Sequence, residues 1–100
     1  SMRGKANFAA FAAGKGALRM MAQSIAREFG PQGIHVAHVV IDGAVNGDKL
    51  RENYAGYLEK LGEDGSLNVD AIAQTFFMLH EQPRTAWTQE IDLRPFKETF

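Results

Sequence analysis

The sequence predicts an α/β fold built around parallel strands and incomplete on its own. Three observations carry this. Long helical patterns flank a β-branched run, Ile34–Ile41, whose continuous apolar character suits a strand covered on both faces. The predicted order is helix, strand, helix, helix, strand, the alternation typical of α/β chains. Only two strands are predicted, and a parallel strand needs neighbours on both sides to satisfy its backbone groups. The 100 residues therefore read as a piece of a larger sheet.

The first helix is predicted over about 8–29, with Asn7 as its N-cap. Phe11, Leu18, Met21, Ile25 and Phe29 recur at helical spacing as an apolar stripe. Ala9, Ala10, Ala12, Ala13, Gly14, Gly16 and Ala17 leave its first half almost without bulk, so another backbone or a ligand can come close. Gly30-Pro31 stops it, because glycine suits the position after a helix and proline cannot continue one.

A buried strand over about 34–41 follows and ends at Asp42-Gly43. Leu50, Tyr54, Tyr57, Leu58 and Leu61 set an amphipathic helix over about 48–61, closed by Gly62 and the turn Glu63-Asp64-Gly65. Asn68 caps a helix over about 69–80, with Asp70 in its first turn and Val69, Ile72, Phe76 and Leu79 facing inward. Weak alternation predicts a last strand over about 88–93, stopped by Pro95.

Composition excludes several classes. With 45% hydrophobic and 23% charged residues the usage is that of a globular domain. The absence of cysteine removes disulfides, thiolate zinc sites and a cysteine nucleophile. No apolar run reaches membrane-span length and no secretory signal is present, so a cytoplasmic location is expected. Residues 1–40 carry five basic side chains against one acidic, a net +4, and residues 41–100 six against eleven, a net −5. The two halves compensate in one domain, or the first offers a face to an anion such as a phosphate-bearing cofactor. Sparse basic residues without interleaved aromatics do not indicate nucleic acid. His35 and His38, three apart on a strand, face opposite sides and cannot chelate one metal; His80 suits the C-terminal end of its helix as a cation. No metal site is predicted.

The run Phe11-Ala-Ala-Gly-Lys15, continued through Gly30-Pro31-Gln32-Gly33-Ile34-His35-Val36 to the turn Gly43-Ala44-Val45, resembles the C-terminal half of the short-chain dehydrogenase/reductase domain. In that family a Tyr-x-x-x-Lys pair opens a long helix, followed by a Gly-Ile-x-Val strand and a Pro-Gly turn. The resemblance implies the C-terminal portion of a Rossmann-like doubly wound parallel sheet. It also implies NAD or NADP as cofactor, a small-molecule carbonyl or alcohol as substrate, and a homo-oligomer assembled through the 8–29 helix. The family's Gly-rich pyrophosphate turn lies outside the matched half, and so does the residue that chooses between the two cofactors.

Residues four apart share a helix face. In the family the tyrosine is the general acid/base, and the lysine lowers its pKa and binds the nicotinamide ribose. Here Phe11 takes the tyrosine position and has no proton to give, whereas Lys15 keeps the ribose contact. By the resemblance, the helix over 48–61 falls at the family's variable substrate lid, so Tyr54 and Tyr57 are candidate substrate contacts. If the protein turns over, water held by Lys15 or one of these lid tyrosines must serve as acid/base. By the resemblance, Gly43, Ala44 and Val45 present backbone to the cofactor carboxamide. Asp42 replaces the family's proline there and brings a carboxylate; Gly47 replaces a phosphate-binding threonine; Glu90–Pro95 replaces a glycine-rich last strand. Ser1 is not assigned the role of the family's catalytic serine. The alternative function is a catalytically impaired relative that serves in cofactor binding or assembly.

Overall fold

Residues 6–98 are described by a computed structural model. Helix α1 spans Ala9–Phe29, rich in alanine and free of proline. Its N-cap is Phe8, not Asn7, and no side chain caps it; Asn7 instead takes a left-handed turn at φ 68°. Gly30 remains right-handed and passes into a 3₁₀ turn, Gly30–Gln32, with Pro31 at its start. The left-handed residue that ends the helical run is Gly33, at φ 89°, with its N–H bonded to the Gly30 carbonyl.

Strand β1 spans His38–Ile41, half the predicted length. The cause lies in His35, whose ring nitrogen Nε2 bonds the Thr88 carbonyl at 2.8 Å. Thr88 also gives its N–H to the Gln82 side-chain oxygen. With both backbone groups of Thr88 engaged by side chains, the ladder starts one residue later, where the His38 N–H meets the Gln89 carbonyl. For the same reason β4 spans Glu90–Leu93 rather than starting at 88. At the other end the Asp42 N–H bonds the Leu93 carbonyl, four residues on along both strands, so β1 and β4 run parallel. Burial on β1 alternates instead of covering both faces: His38 and Val40 are buried, with Val40 1% exposed, while Val39 is half-buried and Ile41 exposed.

A second pair of strands is too short for periodicity to reveal. Strand β2, Val45–Asn46, runs parallel to β3, Leu67–Asn68, with Val45 opposite Leu67 and Asn46 opposite Asn68. The helix predicted over 48–61 is two helices, α2 (Asp48–Asn53) and α3 (Ala55–Leu61). Tyr54 breaks them at φ −139°, its N–H closing α2 on Leu50 and its carbonyl opening α3 on Tyr57 and Leu58. Asn53 turns its side-chain amide onto the Lys49 carbonyl, a local bond that competes with helix continuation. Helix α4, Val69–Glu81, follows β3 directly, and the Asn68 side chain accepts the Ala71 N–H at 3.0 Å.

These elements form two compact units, Ser1–Val40 with Gln82–Asp92, and Ile41–Glu81 with Leu93–Phe100. In the first, the predicted stripe of α1 is covered only at its C-terminal end: Ile25 and Phe29 are half-buried, while Phe11, Leu18 and Met21 are exposed. A 21-residue helix is about 30 Å long, and strands of two to four residues present too little surface to cover it. In the second unit Leu67 and Leu79 are buried and Ile72 is half-buried, whereas Val69 and Phe76, expected inward, are exposed. Leu50, Leu58 and Leu61 are half-buried. Ser1 lies outside the described residues. No described helix is long and apolar enough to cross a membrane.

Candidate functional site

The first unit carries Phe11 and Lys15 one turn apart on α1. The Lys15 ammonium lies over the Phe11 ring, 5.6 Å from its centroid, within reach of a cation–π contact. Phe11 is 63% exposed, so it is not a core aromatic. Ala10, Gly14 and Ala17 make a shallow open floor beside it, edged by Phe11, Lys15, Leu18 and Met21. Lys15 is exposed, and among the described residues no carboxylate lies within ion-pair distance of it. A primary ammonium open on a floor of small residues fits vicinal hydroxyls such as those of a ribose. A phenyl ring fits stacking and supplies no proton.

One turn further along, Arg19 reaches β4. Its Nε donates to Glu90 Oε1 at 2.7 Å and its Nη2 to Oε2 at 2.9 Å, a two-point fork. His38 Nδ1 approaches the same Oε1 at 3.1 Å, and because a carboxylate only accepts, that nitrogen carries the proton. The Arg19 hydrogen bonds hold the Glu90 carboxyl below the usual carboxylate range; partial burial opposes them and His38 adds to them. Glu90 in turn holds Arg19 above its ordinary value.

His35 and His38 do not meet at a common partner. His35 stacks on Trp87, with ring centroids 4.6 Å apart and planes 6° from parallel. The Trp87 indole N–H reaches the Gln82 carbonyl, and the Gln82 amide donates to the Thr88 hydroxyl. His80 ends α4 beside Phe77, with centroids 6.4 Å apart. Among the described residues no group of three potential metal ligands comes together.

The second unit carries Gly43, Ala44, Val45, Tyr54 and Tyr57. Gly43 sits at φ +141°, and a Cβ placed there would lie 2.8 Å from Pro95 Cδ. Gly43 thus has a packing reason of its own. The Ala44 carbonyl accepts the Leu67 N–H and the Val45 carbonyl accepts the Gly47 N–H, so each has one lone pair engaged within the unit. Asp42 does not bring a bare carboxylate: Arg94 Nη1 pairs with it at 3.1 Å, and both side chains are about four-fifths covered. Tyr54 and Tyr57 are 59% and 52% exposed, so neither is a packing residue of a helix stripe. Sequence reasoning missed the Arg19–Glu90–His38 cluster. The available signal was His38 itself, a polar residue inside an apolar run that needs a partner once buried.

Comparison with protein-family models finds no match. Comparison with curated proteins finds none either. Among solved structures, the chain is similar to a short-chain dehydrogenase from Rhodopseudomonas palustris, with 36% identity over 95% of this chain and a TM-score of 0.65. It spans 34% of that protein's length. The α/β fold with short parallel sheets accordingly matches part of a Rossmann-like dehydrogenase domain.

Proposed function

We propose that this chain is the cofactor-helix portion of an oxidoreductase of the short-chain dehydrogenase/reductase type, acting on a carbonyl or alcohol with NAD or NADP. The observation that carries the reading is the 36% identity and matching fold along nearly the whole chain. Lys15 supports it, with an exposed ammonium on an open helix face.

Lys15 would hold the ribose hydroxyls, and Phe11 would shield that contact from water without taking part in proton transfer. When bound, the nicotinamide supplies or accepts the hydride. By resemblance, the proton a carbonyl oxygen takes up on reduction would come from water ordered by Lys15 or, alternatively, from the hydroxyl of Tyr54 or Tyr57. Gly43, Ala44 and Val45 are assigned to the cofactor carboxamide by resemblance alone.

Titration of the full-length gene product, which on this reading includes the Gly-rich pyrophosphate turn, with NADH and NADPH, followed by a carbonyl panel, tests the reading. Binding of either cofactor that weakens in Lys15→Ala is the expected result. Binding of neither overturns the reading, and turnover unchanged by Lys15→Ala removes Lys15 from it.

A second reading, a catalytically impaired relative kept for cofactor binding or assembly through α1, is favoured by Phe11 and by the exposed Leu18, Met20 and Met21. Cofactor binding without turnover on the same panel, in a chain that sediments as an oligomer, selects it.

A further inference from the structure

We propose that Glu90 is a positioning residue for the Phe11–Lys15 face of α1, acting through Arg19; the proposal rests on the cofactor reading above. Phe11, Lys15 and Arg19 follow one another at four-residue spacing, so they lie along one side of the helix. Within this chain none of the helix's residues is fully buried. A two-point fork ties the helix to the strand β4, from Arg19 to Glu90 at 2.7 and 2.9 Å. A single contact between flexible ions fixes little, but a planar guanidinium engaged by both carboxylate oxygens fixes distance and orientation together.

The carboxylate itself is held from behind. His38, 7% exposed on the inward side of β1, brings Nδ1 to the oxygen that also receives Arg19 Nε. Glu90 is thereby tied to two elements, and its position on β4 transmits the register of the strands to α1. Lys15 stands one turn from the anchored residue, so loss of the fork lets its ammonium drift from the place where a ribose would meet it. Arg19 and Glu90 touch no cofactor in this proposal; they set where Lys15 stands.

A purely structural role for Glu90, satisfying the His38 nitrogen, is separable by the choice of variant. Glu90→Gln keeps an oxygen that accepts from His38 Nδ1 and removes the charge that Arg19 grips. In the full-length gene product, NADH and NADPH affinities are measured for the wild type, Glu90→Gln, Arg19→Gln and the double variant, beside urea midpoints and hydrogen exchange of the α1 amides. Each single variant is expected to weaken cofactor binding about tenfold, the scale of losing a hydrogen bond to a charged group. The double variant is expected to be no weaker than either single one, because both remove the same link. Arg19→Lys, which keeps the charge and loses the fork, should fall between, and it carries the test if Glu90→Gln does not fold. Wild-type binding matched by a folded Glu90→Gln or by Arg19→Lys overturns the positioning role while leaving the cofactor reading intact. A wild type that binds neither cofactor overturns both, and that result is distinct from the first.

Discussion

Gly43 lies against Pro95 so closely that a Cβ on the glycine would stand 2.8 Å from the proline Cδ, and its φ of +141° is one that L side chains rarely adopt. Two separate penalties thus fall on any substitution. Gly43→Ala is expected to cost about 1–3 kcal/mol of stability, read as a drop in the urea midpoint. A midpoint within error of the wild type would mean the turn relaxes away from Pro95.

Asn68 caps α4 through a bond to the Ala71 N–H at 3.0 Å. Asn68→Ala removes the acceptor and is expected to cost about 1 kcal/mol, whereas Asn68→Asp should be nearly neutral or stabilising. Thermal melts of the two variants side by side check the pair, and equal losses would assign the effect to something other than the cap.

Acid stability should depend on Glu90. Its folded-state pKa is lowered, first by the Arg19 hydrogen bonds, so the carboxylate contributes stability above its unfolded pKa and loses it as pH falls through the folded value. The urea midpoint of the wild type should therefore fall on acidification more steeply than that of Glu90→Gln. The comparison isolates this group from the other carboxylates, which titrate in both proteins. Parallel acid limbs would remove Glu90 from the account.

Phe11→Tyr restores a phenol one turn from Lys15. On the cofactor reading, carbonyl reduction is expected to rise by about 10²–10⁴-fold, the usual gain from a positioned general acid. The new phenol should also ionise below the ordinary phenol range, visible in an absorbance titration as a change from the wild-type curve, because the ammonium favours its charged form. A folded variant with no gain in turnover would show that the proton donor lies elsewhere.

Local chemistry was legible in the sequence and long-range chemistry was not. The Asn68 cap and the stop after Phe29 are decided within a few residues, and both can be read from the chain. Even there Gly33, not Gly30, takes the left-handed conformation, because Pro31 tolerates one more tight turn before the reversal. The length of β1 was hidden because it depends on His35 reaching Thr88, 53 positions away. The Arg19–Glu90 fork spans 71 positions and no spacing rule connects them. The stripe of α1 is exposed for a physical reason that spacing does not carry: periodicity reports which residues share a face, not whether anything covers it.

The stack of His35 on Trp87 and the clasp from Gln82 to Thr88 have an optical consequence. Trp87 is the chain's single tryptophan and sits in the first unit, while its two tyrosines, Tyr54 and Tyr57, sit in the second. Excitation of the indole on its red edge, where tyrosine does not absorb, therefore reports opening of the clasp in the first unit without adding a label.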